Sequence, residues 1–182
     1  MNLTNHFLLA LPTLHQDYFA ATLTYICEHS DEGAMGFVVN RPSDVSVLEL
    51  LNELNLTPSR HWVDHPVIAG GPVSTDRGFM LFAGEDTYDS SLAVTDGVHL
   101  TSALESLRAV ANDEGPERFM IALGYAGWQG GQLESEIARN VWLTVEADPT
   151  VLFDQPFDQR LDAAAGLLGI DLSLVSPEAG HS

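Results

Sequence analysis

Apolar residues fall along this chain in short blocks separated by glycine, proline and aspartate, the punctuation of a protein rich in strands and turns. Phe7–Leu11 reads as a first strand, and Pro12 with Thr13 opens a connection to a short segment near Asp17–Ala21. Leu23, Tyr25 and Cys27 alternate with Thr22, Thr24 and Ile26, a strand pattern rich in β-formers. Asp31-Glu32-Gly33 makes a turn and Met35–Val39 returns, giving a hairpin ended by Pro42. Ser46-x-x-Glu49 is a capping box that opens a helix with Val47, Leu50, Leu51 and Leu54 on one face. Residues 57–65 are polar and irregular, and Pro66–Ala69 is a short strand closed by Gly70-Gly71-Pro72. Asp76-Arg77-Gly78 reads as a turn before strand Phe79–Phe82. Ser91–Thr95 and Val98–Leu100 flank Asp96-Gly97, the two-residue signature of a type I′ hairpin. Ser102-x-x-Glu105 repeats the capping-box logic before a helix bearing Ala103, Leu104, Leu107, Val110 and Ala111, and Gly115-Pro116 stops it.

The segment around which the rest is organised is 117–145. Phe119–Leu123 is a nearly continuous apolar run, as expected of a strand covered on both faces. Gly124, Gly127, Gly130 and Gly131 then read as a glycine turn. Helix Gln132–Asn140 follows, with Leu133, Ile137 and Ala138 inward, and a second strand occupies Val141–Val145. Tyr125 and Trp128, exposed on so tight a turn, would form the wall of a cleft. A phosphate site is disfavoured, because the glycine spacing matches neither nucleotide-binding fingerprint and Glu134 and Glu136 would repel an anion at the helix N-terminus.

Asp148-Pro149 starts a helical turn through Phe153, and a last helix from about Phe157 carries Leu161, Ala164, Ala165 and Leu168 inward, with Gly169 at its C′ position. Hairpins outnumber βαβ alternation, so the expected class is α+β, a single compact domain over residues 1–172 with a mainly antiparallel sheet and about four flanking helices. Residues 173–182 read as a mobile tail.

Composition narrows the chemistry. The chain of 182 residues carries 26 acidic against 7 basic residues, a formal charge of −19, and every basic residue is an arginine. The absence of lysine excludes Walker-A, Schiff-base and pyridoxal-phosphate lysine chemistry. The arginines are scattered singly, and so acidic a chain would repel a polyanion, which argues against direct nucleic-acid binding. A single cysteine, Cys27, forms no intramolecular disulfide, which fits a reducing cytoplasm. Phe7–Leu11 follows no basic region and is too short for a signal peptide or a membrane span, so the expectation is a cytoplasmic protein without a membrane partner.

Candidate reactive groups are few. Cys27 and His29 lie two apart, on one face of a regular strand, where an imidazole could lower the thiol pKa; the alternative is a buried, inert thiol. His61-Trp62-Val63-Asp64-His65 has a superficial likeness to H-x-x-E-H, but Pro58 and Pro66 bracket it and leave little room for a helix, so no metal is assigned. No G-x-S-x-G occurs. Arg77 could pair a ligand carboxylate or tie its own turn to a neighbouring one.

Tyr25-Ile-Cys-Glu-His29 with Glu32-Gly-Ala-Met-Gly36 and Asn40-Arg-Pro42, Gly70-Gly-Pro-Val73 with Asp76-Arg-Gly78, and Gly124-Tyr-Ala-Gly-Trp128 with Gln132-Leu-Glu134 occur in this order. The set resembles the AlgH/YqgE family of bacterial proteins over nearly the whole chain. Gln129 departs from the pattern, since relatives often carry glycine there. The resemblance implies a compact α+β domain with strongly coiled antiparallel sheets. No enzymatic activity is established for the family as a whole, and no cofactor is expected; some members carry a label as regulators of transcription linked to alginate production.

The expected function is therefore that of a non-catalytic regulatory or adaptor protein. It would bind a protein partner or small ligand through Tyr125, Gly127, Trp128, Gln132 and Arg77. A thiol-dependent enzyme or redox sensor using Cys27 and His29 is the first alternative, and a directly nucleic-acid-binding transcriptional regulator the second.

Overall fold

A computed structural model of the protein describes residues 1–11, 17–58, 62–85 and 88–174. In chain order these form strands β1 (His6–Ala10), β2 (Leu23–Ser30), β3 (Gly33–Val38) and β4 (Pro42–Ser46), then helix α1 (Val47–Glu53). Strands β5 (Pro66–Ala69), β6 (Val73–Ala83), β7 (Leu92–Thr95) and β8 (Val98–Thr101) follow, then helix α2 (Leu104–Ala111). Strand β9 (Phe119–Gln129), helix α3 (Gln132–Ala138), strand β10 (Trp142–Glu146) and helix α4 (Arg160–Leu167) complete the order. The class is α+β, and every strand pairing with a described register is antiparallel except β5 with β9. None of the described helices is long and apolar enough to cross a membrane.

The chain divides into two units, Met1–Asn40 with Gly127–Ser182, and Arg41–Ala126. In the first, the strand order is β10-β1-β2-β3, with the end of β9 beside β3. Helix α4 packs on β1 and β2. Thr22 to Cys27 are consequently buried without a break, because helix and sheet neighbours cover both faces of a strand whose sequence alternates. Arg160 is buried at the start of α4, donating from its guanidinium to the carbonyls of Val39 and Gln155 at 2.7 and 2.9 Å and lying over the Phe157 ring. Burial pushes its pKa down to about 10, against the opposing pull of Asp154. Asp148 accepts the Thr150 N–H at 2.8 Å, starting the helical turn read from Asp148-Pro149.

The second unit places β6 between β9 and β8, with β7 outside β8, while β4 pairs β5 and β5 runs parallel to β9. Its core gathers Val47, Leu51, Val67, Met80, Phe82, Val110, Ala111 and Ile121 from the inward positions of those elements. Ser46 closes a complete capping box with Glu49 at the start of α1.

Several local expectations are corrected. The β2–β3 hairpin ends at Val38, before Pro42 as expected, but Pro42 itself begins a further strand, β4, an edge where its missing N–H costs no ladder bond. Asp76-Arg77-Gly78 lies inside β6: Val73 pairs Tyr125 and Gly78 pairs Leu123, so residues 74–77 bulge out opposite Gly124 alone. The turn-forming composition is spent on that exposed bulge rather than on a chain reversal. Neither Asp96 nor Gly97 has positive φ, so the hairpin turn is not type I′. Helix α2 is capped at Ala103 without a side-chain bond, so Ser102 is not its N-cap, and Glu105 instead accepts the Asp89 N–H. Leu54, Leu104 and Leu168 are exposed where the helical faces read inward, and Ala138 is exposed too. The connection at Pro12-Thr13, His61 of the histidine pair and the end of the tail lie outside the described residues.

Candidate functional site

The glycine-rich segment is not a turn over its whole length. Strand β9 runs on through Gly124 to Gln129, and the reversal is confined to Gly130 and Gly131. Gly131 takes φ 80° as the residue preceding α3, a conformation that glycine adopts without steric cost. Trp128 therefore sits within a strand, and it is 7% exposed, not a free wall residue.

Its indole is held by a carboxylate. Glu136, one turn into α3 from Gln132, accepts the Trp128 indole N–H on Oε2 at 3.0 Å and the Trp142 indole N–H on the same oxygen at 2.8 Å. Its Oε1 accepts from the Gln132 amide at 3.1 Å, and the Gln132 oxygen in turn accepts the Gln129 backbone N–H. Strand, turn, helix and strand are thus tied at one carboxylate. Phe19 completes an aromatic cluster, stacked on Trp128 at 6.2 Å between centroids and edge-on to Trp142 at 5.5 Å. Trp128 and Trp142 meet edge to face at 6.3 Å.

These groups line a cavity of about 350 Å³, together with Asp17, Gly127, Arg139 and Val141. Arg139 is exposed, with Nε directed at the Ser135 carbonyl at 3.4 Å. The cavity has aromatic walls, two carboxylates and one guanidinium.

Of the residues singled out by sequence, Gly127, Trp128 and Gln132 meet here. Tyr125 and Arg77 do not line this cavity; they meet in the other unit at Phe79, Tyr125 packed edge-on to its ring and the Arg77 guanidinium 5.0 Å above it. Phe19, Glu136 and Trp142 were missed as site residues. Glu136 read only as a charge repelling an anion at the helix N-terminus, and nothing in the local pattern of Phe19 marks it. The signal available was the pair of tryptophans on strands flanking one short helix.

Cys27 and His29 do not form a reactive pair. Cys27 is the extra residue of a bulge between the Ile26–Gly36 and Glu28–Met35 pairs, and it and His29 are both buried on either side of an exposed Glu28. Burial, with the Glu28 charge adding to it, pushes the Cys27 thiol pKa well up, away from thiolate character. Both imidazole nitrogens are engaged elsewhere. Nδ1 accepts the Leu3 backbone N–H at 2.9 Å, so the ring proton is on Nε2, which donates to Glu134 Oε1 at 2.5 Å. Glu134 is held below the ordinary glutamate value, first by its own backbone N–H and then by His29.

The family model described as AlgH-like (DUF179) matches residues 7–173. The chain is similar to a UPF0301 protein of Nitrosospira multiformis, 48% identical over 183 residues, covering 100% of this chain and 98% of that one. It is similar to a UPF0301 protein of Chromohalobacter salexigens, 50% identical over 186 residues, with 100% and 99% covered. The solution structure of the AlgH protein from Pseudomonas aeruginosa superposes with a TM-score of 0.83 at 44% identity, over 100% of this chain and 97% of that one. A Corynebacterium diphtheriae protein shares the fold at 20% identity, TM-score 0.68, over 86% of this chain and 82% of that one. By sequence over almost its whole length and by fold, the chain belongs to the AlgH-like family.

Proposed function

We propose that this protein is a non-catalytic binding protein, of regulatory or adaptor type, whose ligand or partner is engaged at the cavity lined by Phe19, Trp128 and Trp142. One observation carries the reading: Glu136 fixes two indoles on separate strands, so the aromatic walls are pre-organised. Pre-organised apolar walls with a few placed polar groups are the usual make-up of a small-ligand site. The redox alternative is weaker, because burial raises the Cys27 thiol and both ring nitrogens of His29 are engaged by Leu3 and Glu134. Direct nucleic-acid binding is weaker still, given a charge of −19. A cytoplasmic location fits the lone cysteine.

The test is a thermal-shift screen against nucleotides, metal ions, thiol metabolites, small organic ions and short DNA, run on the unaltered protein and on Gln132→Ala and Arg139→Ala. A ligand at a hundredfold excess over its Kd raises stability by about 2.7 kcal/mol. A saturable shift weakened by either substitution supports the cavity. A shift that both variants retain in full places the binding site elsewhere.

A further inference from the structure

One hydrogen bond fixes the segment ahead of β1 to the neighbouring strand, and it depends on the charge of the side chain that accepts it. Leu3 is buried, and its backbone N–H donates to Nδ1 of His29 in β2 at 2.9 Å. Among the described residues no other hydrogen bond joins residues 1–4 to a strand other than β1. The remaining bonds are local: the His6 backbone N–H donates to the Leu3 carbonyl at 3.1 Å, and His6 Nδ1 to the Thr4 carbonyl at 3.1 Å. Asn5 is held separately. Its N–H donates to the Ile26 carbonyl and its side-chain oxygen accepts the Tyr25 hydroxyl, both at 2.8 Å, and it takes a left-handed φ of 61° between the segment and β1.

An imidazole accepts a hydrogen bond only while it is neutral. The His29 side chain is buried and its Nε2 proton is already given to Glu134, so a further proton has one place to go, the Nδ1 lone pair that holds Leu3. The protonated ring would set its own N–H against the Leu3 N–H, two donors without an acceptor in a buried site. Its bond to Glu134 would strengthen at the same time, as a charged donor meeting a carboxylate. We propose that His29 is a proton-operated latch: neutral, it docks residues 1–4 on β2; protonated, it keeps Glu134 and releases them, with Asn5 as the hinge.

The charged surroundings of the ring support this division of roles. Glu134 from α3 favours the imidazolium, and it is itself held below the ordinary glutamate value, with the Met1 amino group among the causes, so it stays ionised while the ring changes charge. Strand β3, which pairs Ala34 with His29, carries no ionisable residue from Gly33 to Val38. Along β2 and its turn, Glu28, Asp31 and Glu32 are exposed, and the Cys27 thiol is kept protonated by burial. His6 donates from Nδ1 to Thr4 whether neutral or protonated, so its titration leaves that bond intact.

The test is NMR on the full chain, following the His29 ring nitrogens and the Leu3 amide from about pH 8 to about pH 5, the range in which histidine ordinarily changes charge. The expected result at the upper end is the Nε2–H tautomer with a protected Leu3 amide. As the ring titrates, the Leu3 protection factor should fall about tenfold, the worth of one hydrogen bond, with the same midpoint, while the Asn5 amide stays protected. His29→Asn, whose side-chain oxygen stands in for Nδ1 and takes no proton, should hold Leu3 across the whole range. Glu134→Gln should move the release to lower pH, because the charge that favours the imidazolium is gone. A ring that stays neutral throughout, an Nδ1–H tautomer at the upper end, or a Leu3 amide indifferent to the titration would overturn the latch, as would release in His29→Asn at the unaltered midpoint. If His29→Asn fails to hold Leu3 at any pH, the Glu134→Gln midpoint decides: a shift to lower pH supports the latch and an unmoved midpoint overturns it.

Discussion

Trp128 shows how a candidate binding residue can also be part of the packed interior. Its side chain is 7% exposed and its N–H is spent on Glu136. Truncation to alanine would therefore remove a buried ring from the first unit. Trp128→Ala is expected to cost about 3–5 kcal/mol of stability by urea denaturation, so loss of binding in that variant alone would not locate the site. Gly71 illustrates a tighter constraint, since a Cβ there would run into the Tyr125 carbonyl carbon and oxygen. Gly71→Ala is expected to destabilise by about 1–3 kcal/mol, and a neutral result by the same assay would contradict the packing described. Cys27 should resist a thiol reagent at neutral pH until the protein is denatured, because the thiolate is the reactive form and burial suppresses it. Glu134 gives a pH signature with a definite sign. Its folded pKa lies below the ordinary 4.5, so its stabilisation is complete above that value and is lost as pH falls through the depressed one. Glu134→Gln should flatten that acid limb when urea midpoints are followed across it.

At the scale of elements, two similar serine signals have opposite outcomes. Ser46 caps α1 through a reciprocal bond with Glu49, whereas Ser102 stands one residue before the N-cap of α2 and makes no cap bond. Ser46→Ala is expected to cost about 1 kcal/mol, and Ser102→Ala to stay within about 0.5 kcal/mol of the unaltered protein; thermal unfolding of the two variants compares them directly. The hairpin of β2 and β3, the short strand β5 and the order of the helices were legible because apolar runs and breakers agreed there. The full lengths of β6 and β9 were not. Asp76-Arg77-Gly78 and Gly124 look like turns locally, yet pairing of Val73 with Tyr125 and of Gly78 with Leu123 keeps both strands continuous around a bulge. The candidate site was legible in part for the same reason. Trp128 and Gln132 fall on the segment that draws attention, but Trp142 and Phe19 reach the cavity through tertiary packing, and a glutamate six residues from one tryptophan and eight from the other carries no local mark of its role.

For the whole molecule, the charge of −19 over 182 residues is a source of self-repulsion that the fold must outweigh. Screening shortens from about 30 Å at 0.01 M salt to about 3 Å at 1 M, so thermal stability should rise with sodium chloride over that range; a fall would contradict the assignment of net repulsion. The same field draws cations toward the protein before any specific contact forms.

The most direct measurement is the ¹H–¹⁵N spectrum of the three indole N–H groups, recorded for the unaltered protein and for Glu136→Gln. Trp128 and Trp142 donate to the charged Glu136, while Trp62 donates to the Val110 carbonyl. The expected result is a pair of resonances displaced from the third, both returning toward it in Glu136→Gln while Trp62 stays in place. Three indoles with the same shift, or shifts of Trp128 and Trp142 unmoved by Glu136→Gln, would contradict the carboxylate-braced cavity and the function built on it.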